Sequence, residues 1–92
     1  MYQIQPYTYA QAFKLGVRVV PSMDESKKID VFDWTGNYIC SVGARGYADY
    51  PTYIKLYGKK YADERRRLYK IRHRNDRKRV GSAGYYADKL LW

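Results

Sequence analysis

The sequence predicts a small α+β domain: a β-hairpin or three-stranded antiparallel sheet packed against a C-terminal set of helices. Three observations carry this. Two β-rich runs, residues 29–33 (IDVFD) and 38–42 (YICSV), flank a Trp34-Thr35-Gly36-Asn37 turn, and a Gly-Asn pair tolerates the positive φ that a tight hairpin needs. In the second half, Tyr50, Tyr53, Ile54 and Tyr57 recur at i, i+3, i+4 and i+7, one face of a helix. Finally, 92 residues amount to one domain, residues 1–92, with a modest core.

Residues 1–8 (MYQIQPYT) read as an extended arm, with Thr8 capping a short helix over 9–15 that Gly16 stops. Residues 17–20 (VRVV) are β-branched and supply a third strand, ended by Pro21; the polar stretch 22–28 reads as a loop. In the hairpin, Ile29 and Val31 alternate with Asp30 and Phe32, while Tyr38, Cys40 and Val42 alternate with Ile39 and Ser41. A lone hairpin is marginal in water, so the later helices are expected to cover one face. Residues 43–47 (GARGY) read as a connecting turn; their Gly-x-x-Gly spacing around Arg45 is too common to indicate a phosphate site by itself. Asp49 caps the next helix, 50–57, with Pro51 in its first turn, and Gly58 ends it. A basic helix follows over about 60–74. A turn at 80–84 then leads to a last helix over 84–91, capped by Ser82, with Trp92 docked rather than frayed.

Charge is concentrated in residues 59–80 (KKYADERRRLYKIRHRNDRKRV). This stretch holds eleven Lys or Arg against Asp63, Glu64 and Asp76, and so carries +8 of the chain's +9. Such a local excess speaks about partners rather than fold. In its helical part Tyr61 and Leu68 fall nearly in line, with Ala62, Tyr69 and Ile71 beside them, a stripe expected to pack on the sheet. Asp63 and Arg67 are spaced to pair, and first-turn acids suit the helix dipole. Arg65 and Arg72 project near the centre of the stripe and are read as structural, snorkelling or pairing with Asp30, Asp33 or Asp49. The opposite face, continuing past the helix end at Asn75-Asp76, supplies the candidate nucleic-acid-binding residues Lys59, Lys60, Arg66, Lys70, His73, Arg74, Arg77, Lys78 and Arg79.

The physical reason is that phosphate backbones are polyanions. Neutralising each phosphate releases counterions, and Arg, which outnumbers Lys seven to four here, grips phosphate with two N–H groups at once. No helix-turn-helix, zinc-finger or RNP pattern is present, which points to backbone binding, duplex DNA first, rather than sequence readout. Tyr makes up twelve of the residues, enough for half-buried packing with some rings left for stacking.

Other chemistry finds little support. A single Cys forbids an intrachain disulfide, and Cys40 in a strand reads as a buried small hydrophobe. The lone His73 has no second His or Cys to share a metal, and neither phosphate-loop nor dinucleotide fingerprints occur, so no cofactor, metal site or catalytic residue is expected. No run is long enough to cross a membrane, and the N-terminus lacks signal-peptide order; the protein is expected to be soluble and not membrane-inserted.

The blocks AFKLGVRVVPS (12–22), KKIDVF (27–32), SVGARGYADYPTY (41–53), GKKYADERRRLYKIRH (58–73) and GSAGYYADKLLW (81–92) come in an order that resembles a family of small basic proteins of large DNA viruses, the giant viruses and their algal-virus relatives. The resemblance spans about residues 10–92 and carries no catalytic residue across. It implies a viral protein located in the virion, or in the cytoplasm or nucleus of an infected cell. The favoured expectation is a non-enzymatic protein that binds nucleic-acid backbone, free in the infected cell or packaged in the particle. Its alternatives are a minor capsid protein whose basic helix meets acidic capsid subunits, and a small nuclease or nuclease accessory.

Overall fold

The computed structural model describes residues 2–92; Met1, the first residue of the N-terminal arm, lies outside them. The elements run α1 (Pro6–Leu15), β1 (Val17–Pro21), β2 (Lys27–Asp33), β3 (Tyr38–Ala44), α2 (Tyr50–Tyr57), α3 (Lys59–Arg72), a 3₁₀ turn (Asp76–Lys78) and α4 (Ala83–Leu91). The class is α+β, with one three-stranded antiparallel sheet in the order β1-β2-β3. The chain falls into two compact units, Met1–Gly46 and Tyr47–Trp92.

In the first unit the arm is shorter than the sequence suggests. The helix begins at Pro6, whose missing N–H costs nothing in a first turn, and Thr8 lies buried inside α1 instead of capping it. Gly16 ends α1 in the left-handed conformation, φ 71°, and its N–H reaches back to the Phe13 carbonyl. A Cβ at Gly16 would also stand 3.2 Å from the Trp34 indole nitrogen. The sheet buries Val17, Val19, Ile29, Val31 and Val42, with Val19 opposite Val31 and Ile29 opposite Val42. That is the expected alternation, carried by all three strands.

A bulge at Val31/Phe32 changes one detail. It sets Tyr38 opposite Phe32, ring edge to ring face at 5.7 Å, rather than on the Cys40 and Val42 side. On the Tyr38 side, Asp30 accepts hydrogen bonds from the hydroxyls of Ser22 and Ser41. Burial raises the pKa of this carboxyl, but the two hydroxyl bonds together with the Met23 N–H more than offset that and leave it below its ordinary value. The hairpin turn is organised by Asp33, whose Oδ1 accepts from Thr35 and Asn37; of the Gly-Asn pair it is Gly36 that takes positive φ. Cys40 is half-buried, and burial, followed by the charge of Asp30, pushes its thiol pKa up, away from the reactive thiolate. Strand β3 runs on to Ala44, and the Arg45 N–H donates to Ser26, so the first part of the expected connector is pinned to the sheet.

In the second unit both expected caps are in place. Asp49 accepts from the Thr52 N–H at 3.1 Å, and the Ser82 hydroxyl accepts from the Tyr85 N–H at 3.2 Å. Helix α2 packs along α3, and α4 along the 3₁₀ turn. The buried residues here are Asp49, Tyr50, Pro51, Ala62, Tyr69, Asp88, Leu90 and Leu91. Gly84 lets α4 come close: a Cβ there would lie 3.1 Å from the Asp76 carbonyl oxygen.

Candidate functional site

Helix α3 is rotated relative to the sequence expectation. Its inward face is Ala62, Arg66, Tyr69 and His73, residues that recur every three or four positions. Of the expected stripe, Ala62 and Tyr69 turn inward, whereas Tyr61, Leu68 and Ile71 are exposed, Leu68 at 40% and Ile71 at 48%. Arg65 and Arg72, expected near the buried centre, are exposed: Arg65 stands over the Tyr53 ring at 5.4 Å, and Arg72 Nε reaches His73 at 3.5 Å. The physical reason is aromatic. Tyr69 stacks on Trp92 with centroids 4.3 Å apart and planes within 8°, and on His73 at 4.3 Å. Aligning those rings decides which face turns in, and the aliphatic side chains follow.

Turning that face inward gives two of the expected ligand-binding cations partners within the protein. The Arg66 guanidinium lies 3.6 Å above the Tyr50 ring and donates from Nε to the Trp92 main-chain oxygen at 2.7 Å. Lys70 donates to Asp88 at 2.6 Å. Asp63 pairs with Lys59 at 2.7 Å, not with Arg67, and accepts the Tyr50 hydroxyl on its other oxygen; Lys59 first and Tyr50 second hold its carboxyl below the ordinary value. Arg67 pairs with Glu64. Both acids lie beyond the first turn, because α3 starts at Lys59. His73 meets Asp76 at 3.1 Å, which lowers the Asp76 pKa.

What remains is a shallow groove of about 400 Å³ along α3. It is lined by five cations, Arg66, Arg67, Lys70, Arg74 and Arg77, with Asp63 and Ile71 between them. Four of the five belong to the expected set. Arg67 does not; its spacing to Lys70 and Arg74 (i, i+3, i+7) is the signal in the sequence that marks it. Arg77 is half-buried and donates from Nε to the Lys70 carbonyl at 3.3 Å, so the chain beyond α3 folds back to close one side of the groove. Arg74 is exposed and has no ion-pair partner among the described residues. Lys59, Lys60, His73, Lys78 and Arg79 lie outside the groove lining; of these, Lys59, Lys60, Lys78 and Arg79 are exposed, Lys59 while paired with Asp63.

No protein-family model, curated protein or solved structure matches the chain.

Like charges gathered in one groove repel each other, and an anion laid along it relieves that repulsion. Guanidinium groups supply paired donors that match phosphate oxygens. Among the described residues, no three His, Cys, Asp or Glu stand close enough to hold a metal ion, and no helix is long and apolar enough to cross a membrane.

Proposed function

We propose that the chain is a non-enzymatic binder of the nucleic-acid phosphate backbone, acting through the cationic groove of α3. The observation that carries this is the lining itself: five Lys or Arg side chains share one concave strip with a single carboxylate, and that carboxylate is already held by Lys59 and Tyr50. Lys60, Lys78 and Arg79, exposed at either end of the basic segment, extend the positive field beyond the groove. On the likeness of its sequence blocks to proteins of large DNA viruses, the setting we propose is a viral genome, in the particle or in the infected cell.

The deciding experiment is binding of labelled DNA across a salt series. A backbone-binding groove gives an affinity that falls linearly on a log–log plot, with a slope on duplex DNA of up to about −4.5 if all five groove cations meet phosphates. Absence of binding at low salt refutes the proposal. A chain found at fixed sites in a capsid shell, away from nucleic acid, would assign the basic surface to acidic capsid subunits instead.

A further inference from the structure

Six rings of the second unit form one continuous chain, Tyr57–Tyr61–Tyr53–Trp92–Tyr69–His73, with successive centroids between 4.3 and 6.1 Å apart. Its inner half is packing: Tyr69 is buried and parallel to Trp92. Its outer end is different. Tyr57 and Tyr61 have ring centroids 4.9 Å apart, yet are 62% and 46% exposed, so much of each aromatic side chain meets solvent. Core packing does not need that much aromatic surface in water. The residues around the pair are basic. Lys60 adjoins Tyr61, and Arg65 stands over Tyr53, the next ring in the chain. The nearest acids in α3, Asp63 and Glu64, are paired with Lys59 and Arg67, and α2 has no acidic residue.

A polyanion carrying flat π-faces complements both the rings and the charge. In a duplex the base faces are stacked against one another and only their edges reach the surface, whereas an unpaired base offers its whole face to an aromatic side chain. We propose that Tyr57 and Tyr61 form a stacking platform for unpaired bases, making single-stranded nucleic acid the preferred ligand of this protein. The inference rests on the phosphate-binding reading above and narrows its substrate class. Tyr suits this role because its ring stacks while its hydroxyl stays in water.

The test measures binding of the full chain to four probes of equal length: oligo(dT), oligo(rU), an abasic deoxyribose-phosphate strand and a duplex. At one salt concentration, oligo(dT) or oligo(rU) is expected to bind about tenfold or more tighter than the abasic strand. The double variant Y57A/Y61A should erase that advantage and leave the abasic strand and the duplex bound as before, while Y57F/Y61F should keep it. Equal affinity for abasic and base-bearing strands in the unmodified protein overturns the platform and leaves the phosphate groove standing. An equal loss on every probe in Y57A/Y61A also overturns it, because the rings would then be supporting the fold and not the bases. If none of the four binds at low salt, the phosphate reading falls and the platform with it.

Discussion

Lys70 Nζ stands 2.6 Å from Asp88 Oδ1, and the two ends of the pair are unequally buried: Asp88 is 1% exposed, Lys70 31%. The second oxygen of Asp88 has no hydrogen-bond partner among the described residues, so Lys70 is the one charge offsetting a buried carboxylate there. The consequence is asymmetric. Lys70→Met strands a negative charge in a desolvated site and is expected to cost roughly 3 kcal/mol. Asp88→Asn leaves Lys70 able to swing into water and should cost about 1 kcal/mol. Replacing both, K70M/D88L, should recover most of the Lys70→Met loss. Urea denaturation of the three variants checks this. If Asp88→Asn proves as damaging as Lys70→Met, the pair is not a compensated buried charge.

Arg66 tests whether shape or charge matters on the inward face. Its guanidinium carbon lies 3.6 Å from the Tyr50 ring centroid while Nε donates to the Trp92 oxygen. Lys keeps the charge but, as a compact point charge, does not lie flat on the ring while donating in that fixed direction. Arg66→Lys is therefore expected to cost about 1–2 kcal/mol, from a weakened cation–π contact and a lost hydrogen bond. A near-UV circular dichroism change from Trp92 should accompany it. A neutral Arg66→Lys would mean that the guanidinium geometry contributes nothing to holding Trp92.

Arg74 isolates the groove from the fold. It lines the groove, is exposed, and holds no carboxylate, so its removal should leave stability within about 0.5 kcal/mol of the parent. Arg74→Gln should lower the salt slope of DNA binding by about one, and the pair R67Q/R74Q by about two, as each phosphate contact is lost. The same substitutions at Arg66 or Lys70 would mix binding with unfolding. An unchanged slope in R67Q/R74Q would place the phosphates elsewhere, with the exposed Lys60, Lys78 and Arg79 next to be tested.

Apart from the Thr8 cap, which the earlier start of α1 displaced, local signals in this chain were legible and long-range ones were not. Strand alternation, the αL stop at Gly16 and the caps at Asp49 and Ser82 each depend on residues within a few positions, so the sequence shows them directly. The rotation of α3 does not. Helical periodicity weighs Leu68 and Ile71 as core because they are aliphatic, but the side that turns in is chosen by Trp92, more than twenty positions away from Tyr69. The same distance hides the engagement of Arg66 by Trp92 and of Lys70 by Asp88. A basic helix therefore looks more uniformly available for ligand in sequence than it is in the fold. The run from Tyr53 to Tyr61 carried a visible signal in its repeated Tyr, but their assembly into one chain of rings needs α2 laid along α3.

Tyr69 offers a pH test of the same aromatic core. Burial first, then the nearby charges of Asp88 and Asp76, pushes its phenol up to about 12 from an ordinary 10. The folded state thus holds the proton more tightly than the unfolded chain does. Its contribution is fully present below pH 10 and is lost as pH rises from about 10 through about 12, because the unfolded state releases the proton first. Two pKa units correspond to a ceiling of about 2.7 kcal/mol across the whole window. Unfolding free energies from urea titrations at neutral pH and at pH 11 should show about half of that loss, roughly 1 kcal/mol, in the parent beyond any loss in Tyr69→Phe, which has no proton to lose. The tyrosinate absorbance of the folded protein should likewise show a late step to which Tyr69 contributes beside Tyr50, whose phenol is raised by its hydrogen bond to Asp63, and that step should shrink by one ring in Tyr69→Phe. Parallel alkaline losses in the two proteins would show that Tyr69 ionises in the fold as readily as it does in water, and that the Tyr69–Trp92 stack is looser than its 4.3 Å spacing implies.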